Sequence, residues 1–294
     1  MRLATGPVSW GVDFADDPGN PPWESVLDEI AASPLDLLEL GPIGYLPEEP
    51  RRLRRALRSR GLDAVGSFVF EDFHDPAQLD RISTVAERTC RVIDAAGGAV
   101  LVIIDRPSPG RAKTAGRPSA AVRLPDSEWG AMLEGIDRVA AIARAVGLRP
   151  AVHPHAGGYL EFEDEIDRLL GETDVDLCLD SGHLVYAGID PAEAITSYGS
   201  RLAHVHLKDV DRAVLRQVTA EGADFWAAVS RQVFCPIGSG AVDFASVLGA
   251  LRDAGYDGFA TLEQDRVPGT GSPSADLAAS LNFLRANGAE TAAR

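Results

Sequence analysis

The sequence predicts a single-domain α/β protein of the (β/α)8 class, a TIM barrel that spans residues 1–294. Three observations predict this fold. Strand-like apolar runs alternate with amphipathic helical stretches along the chain, eight of each. Such alternation implies a parallel sheet, and about 250 residues is the usual size of a closed barrel. No G-x-G-x-x-G follows the first predicted strand, so the rival open, dinucleotide-binding sheet loses its main support.

The predicted strands are short apolar runs bounded by polar or glycine-containing segments. They cover residues 7–12, 35–41, 63–70, 99–105, 149–155, 175–180, 202–208 and 258–263. Stretches with apolar residues at three- and four-residue spacing lie between them, as in WESVLDEIAAS and LDRISTVAERTCRVIDAAG. Two longer segments without helical periodicity, 106–125 and 211–241, follow the fourth and seventh predicted strands. We expect both to be loops over the mouth of the barrel, acting as lids or binding loops.

The composition argues against two classes of binding partner. The net charge of −16 and a sequence pI near 4.7 argue against nucleic acid and anionic membranes as partners. No continuous apolar leader opens the chain and no run of about 18 apolar residues occurs in it, so we expect a cytoplasmic protein; self-association into a homo-oligomer stays open. Cys90, Cys178 and Cys235 are odd in number and widely spaced, which favours core thiols over disulfides or a cysteine zinc site.

Two histidine pairs stand out in a chain that has six histidines. PAVHPHAGG contains His153 and His155, and LAHVHLKD contains His204 and His206. Residues i and i+2 of a strand point to the same face, so each pair is expected to project into one shared space.

Ligand-type side chains end four consecutive predicted strands. His153 ends the fifth, Asp180 the sixth, His206 the seventh and Glu263 the eighth. Each has an ordinary explanation alone: a hydrogen-bonded core histidine, a cap, or an ion-paired carboxylate. Together they predict a divalent metal site, because the carboxyl ends of barrel strands converge and a cation partners all four groups at once. Spacing alone does not show whether His153 or His155, and whether His204 or His206, is the metal ligand.

Imidazole with carboxylate suits Mn²⁺, Co²⁺, Fe²⁺ or Zn²⁺ better than Mg²⁺ or Ca²⁺, which favour all-oxygen shells. We favour Mn²⁺ or Co²⁺, with Fe²⁺ and Zn²⁺ as alternatives. Open positions on such an ion would remain for substrate oxygens.

At these residues the chain resembles the xylose-isomerase-like barrel superfamily of sugar isomerases, epimerases and dehydratases. The resemblance spans nearly the whole chain and includes LDSGH, HVHLKD and LEQD. The fifth strand departs from it, because VHPHAG stands where most members have a glutamate motif. The inosose dehydratase branch is similar in its histidine-rich fifth strand and in ELGPIGYLP, VFCPIGSGAVDF and GYDGFATLEQDR.

The resemblance implies a metal-dependent carbon–oxygen lyase of inositol catabolism, which dehydrates a ketocyclitol such as 2-keto-myo-inositol through a metal-stabilised enolate. The alternative is a sugar isomerase or epimerase with the same metal site. The third interpretation is a barrel that binds a sugar without converting it, or one whose metal ion is purely structural. The predicted catalytic residues are His183, Lys208 and Glu263; the predicted substrate contacts are Trp10, Glu39, His155, Glu161 and His204.

Overall fold

Eight parallel strands close into a barrel with helices around it, which confirms the predicted fold class. The computed structural model describes residues 1–289. Its strands are β1 (Arg2–Thr5), β2 (Leu37–Glu39), β3 (Asp63–Glu71), β4 (Val100–Asp105), β5 (Arg149–Val152), β6 (Asp176–Asp180), β7 (Leu202–Leu207), β8 (Asp209–Val210), β9 (Phe234–Cys235) and β10 (Phe259–Leu262). The barrel order is β1-β10-β7-β6-β5-β4-β3-β2, and β8 with β9 forms a separate antiparallel pair.

Twelve α-helices surround these strands within residues 1–289. They are α1 (Trp23–Ala32), α2 (Pro50–Arg58), α3 (Leu79–Ala96), α4 (Pro109–Ala112), α5 (Asp126–Ala145), α6 (Glu163–Glu172), α7 (Ser181–Tyr186), α8 (Pro191–Tyr198), α9 (Arg212–Glu221), α10 (Phe225–Ser230), α11 (Phe244–Asp253) and α12 (Pro273–Ala286). Short 3-10 turns cover Pro7–Trp10, Pro76–Gln78 and Gly199–Arg201.

The apolar patterns of the sequence account for the core. Every residue of β4 (VLVIID) is buried, as expected of a parallel strand that is covered on both faces. In α3 the side chains of Ile82, Ala86, Cys90 and Ile93 recur every three or four residues and pack inward. The barrel wall and its helices form the main hydrophobic core, and a separate cluster that includes Val102 and Phe68 contains the other face of β4.

The predicted first strand, 7–12, is wrong. The strand is Arg2–Thr5, which pairs with β10 from Arg2 opposite Phe259 to Thr5 opposite Leu262. Pro7 starts a 3-10 turn, and Gly11 ends it at a φ of +84°. The four-residue strand carries one charged and one small side chain, so the more apolar PVSWGV has the stronger strand signal.

The segment 211–241 is not the open loop that the sequence predicts. It contains α9 and α10 and returns through the β8–β9 pair. Val218 is the only buried residue of α9, so this helix has little of the apolar periodicity that predicts a helix from sequence. The carboxylate of Asp209 holds the base of this excursion, since it accepts hydrogen bonds from the backbone N–H groups of Val210, Gly238, Gly240 and Val242. The other segment, 106–125, contains the single-turn helix α4.

The cysteines are free thiols, and Cys90 and Cys178 are buried as expected whereas Cys235 is half-buried. Within residues 1–289, no helix combines the length and the apolar character that crossing a bilayer requires.

Candidate metal centre and active site

The four predicted metal ligands lie together at the carboxyl end of the barrel. Asp180 ends β6, and His206 lies opposite it in β7 in the parallel register. His153 and Glu263 each follow the last residue of their strand, β5 and β10. All four side chains are buried. The structure thus brings these four groups into one small space.

The atoms of this cluster have the spacing of a ligand set. Oε2 of Glu263 lies 3.1 Å from Nδ1 of His206, and Oδ2 of Asp180 lies 3.8 Å from the same nitrogen. Nε2 of His153 is 3.9 Å from Oδ2 of Asp180. Atoms that bind one ion at about 2.1 Å lie roughly 3 to 4 Å from one another.

Unpartnered polar atoms in the cluster test whether a cation fits it. Nδ1 of His206 and Oδ2 of Asp180 are fully buried and make no hydrogen bond within the described part of the chain, although Nζ of Lys208 lies 3.2 Å from Oδ2 as an ion pair. Three buried carboxylates, Asp180, Glu263 and Asp265, face a single ammonium, that of Lys208. A divalent cation would supply the remaining positive charge and would use the two open atoms, so the residues fit a metal ion.

Asp180 serves two purposes with its two oxygens. Oδ1 accepts hydrogen bonds from the N–H groups of Gly182 and His183, at 2.7 and 2.9 Å, and so caps α7. Oδ2 is left facing the cluster. Burial raises the pKa of Asp180 above its usual range, although Lys208 and His206 oppose the shift. The cap and the ligand interpretations are therefore compatible.

Glu39 lies behind the cluster and contacts the far nitrogen of His206. Oε1 of Glu39 is 2.9 Å from Nε2 of His206 and 2.8 Å from Nε2 of His204, and it accepts a 2.6 Å hydrogen bond from Thr261. Burial opposes the charge, but His206 and His204 hold the pKa of Glu39 well below its ordinary value. A proton on Nε2 of His206 leaves the lone pair of Nδ1 facing Asp180 and Glu263.

Height along the barrel separates the two members of each histidine pair. His204 lies in the layer of Glu39 and Thr261, away from Asp180, whereas His206 lies in the cluster. His153 approaches Asp180, whereas His155 turns towards the mouth, with Nδ1 2.9 Å from the carbonyl oxygen of Ala156. Among the described residues, His153 and His206 are therefore the members of the two pairs that lie near Asp180. Two other groups, Glu39 with His204 and His206, and His155 with His183 and Asp265, also have spacing that could hold an ion.

His183 packs against His155 with ring centroids 4.0 Å apart. The backbone N–H of Ala156 donates to Nδ1 of His183 at 3.1 Å, so the proton of the neutral ring is on Nε2. Nε2 lies 3.4 Å from Oδ2 of Asp265. Burial, with the charges of His155 and Lys208, holds the pKa of His183 well below its usual value. His183 is thus a neutral hydrogen-bond donor at Nε2.

Lys208 is the only lysine or arginine that lines this cavity in the described chain. Its Nζ lies 2.6 Å from Asp265 and 3.2 Å from both Asp180 and Glu263. Burial opposes the charge, but these carboxylates raise the pKa of Lys208 well above its ordinary value. Gly182 makes room for the lysine, because a Cβ atom there would lie 2.7 Å from Cγ of Lys208.

Four of the predicted substrate contacts do not line this cavity. Glu39 and His204 lie below it, as described above. The indole N–H of Trp10 donates to Glu29 at 2.8 Å. Glu161 accepts hydrogen bonds from Gly116 and Gly157 and contacts the buried Arg111 at 3.4 Å. Burial raises the pKa of Glu161 to about 7, against these backbone hydrogen bonds.

Sequence reasoning missed two acidic residues of the cavity, Asp13 and Asp265. Asp265 stands two residues after Glu263 in LEQD, which is a signal of the same kind as the histidine pairs. Asp13 follows PVSWGV, and the wrong strand assignment there hid it. Burial and the nearby Asp265 raise the pKa of Asp13 well above its usual value.

The cavity has a polar floor and apolar walls. Three of the four predicted ligands line the floor, and Asp180 lies behind them without lining it. Lys208, His155, Asp13 and Asp265 complete the floor. The walls are Val8, Phe68, Phe70, Ile104, Phe225 and Trp226. A floor of predicted ligands and hydrogen-bonding groups beneath apolar walls suits the oxygens of a small ring. The free volume of about 30 Å³ requires the walls to move apart before such a ring enters.

Known proteins match the chain over almost its full length. A protein named inosose dehydratase from Geobacillus kaustophilus is 31% identical over 284 residues, which cover 93% of this chain and 90% of that protein. The solved structure of a probable 3-DHS dehydratase from Bacillus anthracis has a TM-score of 0.74 at 16% identity, covering 97% of this chain and 99% of that one. A D-allulose 3-epimerase from Methylomonas sp. has a TM-score of 0.69 at 17% identity and covers 98% of both chains.

At 16% and 17% identity, the two solved structures show similarity of fold only. The family described as xylose isomerase-like TIM barrel matches residues 27–287. With this match and the 31% identical relative, the chain belongs to the xylose isomerase-like TIM barrel family.

Proposed function

We propose that this protein is a divalent-metal-dependent dehydratase that acts on a ketocyclitol such as 2-keto-myo-inositol. The observation that carries the proposal is the convergence of His153, Asp180, His206 and Glu263, with successive ligand atoms 3.1 to 3.9 Å apart. The relative named inosose dehydratase supports the reaction and the substrate class.

The four residues would hold the ion, since a mixed nitrogen and oxygen set suits a transition ion such as Mn²⁺, Co²⁺, Fe²⁺ or Zn²⁺. Our first choices are Mn²⁺ and Co²⁺. When bound, the metal supplies Lewis-acid stabilisation of the negative charge that develops on the carbonyl oxygen. Glu39 keeps the ring of His206 oriented from behind.

The reaction removes one water molecule. The C–H bond next to the carbonyl breaks and its electron pair forms the C=C bond; the C–O bond at the next carbon breaks and hydroxide leaves as water after taking a proton. Lys208 holds a proton on Nζ at the cavity floor, where it is placed to protonate the leaving hydroxyl.

The imidazoles divide the remaining roles. Nδ1 of His155 faces the carbonyl of Ala156 and carries the proton, so the lone pair of Nε2 is available to accept the substrate proton. His183 does not line the cavity; its Nε2 faces Asp265 at 3.4 Å, and His183 would position that carboxylate, which does line the cavity. The apolar walls exclude water from the reacting carbons.

The net charge of −16 disfavours nucleic acid and anionic membranes as partners. We expect the protein to work in the cytoplasm on a small polyol or sugar. Homo-oligomerisation stays a prediction.

The experiment incubates Mn²⁺-loaded protein with 2-keto-myo-inositol and records the ultraviolet absorbance of the conjugated product. We expect absorbance to rise with the wild type and not with His206→Ala, while His74→Ala, which removes a histidine outside the cluster, retains turnover. If NMR shows a changed stereocentre and the absorbance does not rise, the protein is an epimerase and not a dehydratase. No reaction of any kind would contradict the proposal.

A further inference from the structure

Five aromatic rings contact one another in a closed cycle, which we call the aromatic collar. Phe14 lies 5.7 Å from Phe70 between ring centroids, and Phe70 lies 5.4 Å from His155. His155 lies 5.0 Å from Phe225, which lies 5.1 Å from Trp226. Trp226 lies 5.8 Å from Phe14 and closes the cycle. These separations are those of rings in van der Waals contact.

The collar lies where two spaces meet. Phe70, His155, Phe225 and Trp226 line the cavity above the metal ligands. Phe14 and Phe70 line a second, outer cleft of about 330 Å³, and the cleft and the cavity share Asp13, Phe68 and Phe70. The two spaces therefore adjoin at Asp13, Phe68 and Phe70, of which Phe70 belongs to the collar.

Separate parts of the chain build the collar. Phe14 follows the 3-10 turn after β1, Phe70 lies in β3 and His155 follows β5. Phe225 and Trp226 begin α10 on the excursion after β7. Phe225 is almost fully buried, whereas Phe14 and Trp226 are half-buried, so their contact is the exposed side of the cycle.

Among residues 1–289, the outer cleft offers no unpaired cation to an anionic substituent. Its three arginines are Arg81, Arg88 and Arg106, and they pair with Glu71, Glu48 and Asp72 respectively. The collar itself presents ring faces and edges, which suit the C–H faces of a polyol ring. Oxygen atoms of that ring would face the polar floor.

We infer that the collar is a specificity-determining aperture that closes around one unsubstituted polyol ring, with Trp226 and Phe14 excluding a ring that carries a second sugar. The inference rests on the proposed function for its ligand class. The cavity has a free volume of only about 30 Å³, so the collar has to open for a ring to enter and the contact between Phe14 and Trp226 has to form again over it. A second sugar attached to that ring would keep Phe14 and Trp226 apart.

The test measures binding of myo-inositol and of its α-galactoside to Mn²⁺-loaded protein by calorimetry. We expect the wild type to bind myo-inositol at least about 10-fold more tightly than the galactoside. Trp226→Ala should weaken myo-inositol binding by roughly 2- to 10-fold, the range that one aromatic contact supplies, and should strengthen binding of the galactoside. Phe14→Ala should likewise reduce the preference for myo-inositol over the galactoside.

Two controls separate the aperture from general damage. Trp226→Phe keeps an aromatic ring and should behave like the wild type, and Trp23→Ala removes a half-buried indole that lines neither space and should change nothing. An unchanged preference in both alanine variants of the collar, or equal binding of both ligands by the wild type, would overturn the inference.

The outcome is distinguishable from a failure of the proposed function. Collar-dependent binding of myo-inositol without any product from 2-keto-myo-inositol would refute the dehydratase and keep the aperture. Absence of myo-inositol binding by the wild type would refute the aperture, whatever product forms.

Discussion

Glu39 connects three side chains of the barrel interior to the ligand cluster. It contacts His206 on the nitrogen that faces away from Asp180. Carboxylates in this position fix the orientation and the tautomer of a metal-binding imidazole, and their loss costs about 10- to 100-fold in metal affinity. We expect Glu39→Gln to weaken Mn²⁺ binding by that factor, as measured by isothermal titration calorimetry.

Glu29→Gln is the matched control, because Glu29 is a carboxylate that accepts from an indole N–H outside the cluster. Its metal affinity should equal that of the wild type. Equal affinities in Glu39→Gln and the wild type would show that His206 needs no support from Glu39.

The contact between His74 and Asp105 should make the stability of the fold depend on pH, independently of the predicted metal ligands. Burial opposes its charge, but the 2.8 Å contact with Asp105 raises the pKa of His74 above its usual 6.5. A base with a raised folded pKa stabilises fully below its unfolded pKa of about 6.5, and this stabilisation is lost as the pH rises through the folded value. His74→Gln should therefore lower the free energy of unfolding by about 1 kcal/mol at pH 6 and by less at pH 9.

Urea denaturation of both proteins at the two pH values measures the difference. A gap between wild type and His74→Gln that widens with rising pH would contradict the pairing of His74 with Asp105.

Strand ends and two-residue spacing predicted which side chains meet, because both follow from strand geometry alone. They did not rank His204 against His206, since two residues on one inward face differ only in height along the barrel. The height depends on strand register, which pairs Asp180 with His206 and Cys178 with His204. Register is a property of the closed sheet and is not visible in one strand's sequence.

At the scale of elements, Asp209 holds the excursion that carries Phe225 and Trp226. Its two oxygens accept from four backbone N–H groups, at 2.8 to 3.0 Å. Asn at this position has one acceptor oxygen and presents an NH₂ group to buried donors, at a cost of about 1 to 3 kcal/mol for each unsatisfied group.

We expect Asp209→Asn to accelerate hydrogen exchange of backbone amides in 209–242 by 10-fold or more, while the amides of β3 and β4 keep their protection. Asp243→Asn, a helix cap on the exposed surface, is the control. Uniform loss of protection through the barrel, or none in the excursion, would contradict the assignment.

The elements that the sequence mispredicted share one physical cause. β1 and α9 bury few large apolar side chains, so tertiary contacts specify them more than periodicity does. β1 forms because β10 and β2 flank it, and α9 because the excursion closes at β8 and β9. Segments with strong patterns, such as β4 and α3, agree with prediction.

At the scale of the whole molecule, metal binding should be linked to stability. The cluster draws its ligands from four strands of the closed sheet, so an ion there binds the folded barrel in preference to the unfolded chain. Mn²⁺ at about 100 times its dissociation constant should raise the free energy of unfolding by about 2.7 kcal/mol. Denaturation with Mn²⁺ and with a chelator measures the increment.

Asp180→Asn should lose that increment, and His74→Gln should keep it, although both change one polar side chain near a strand end. An increment that survives in Asp180→Asn would place the ion elsewhere.

Anomalous diffraction at the manganese absorption edge, on crystals of Mn²⁺-loaded protein, tests the central claim most directly. The claim predicts one strong peak within bonding distance of Nε2 of His153, Oδ2 of Asp180, Nδ1 of His206 and Oε2 of Glu263. A peak bounded by Glu39 and His204, or no peak at the carboxyl end of the barrel, would contradict it.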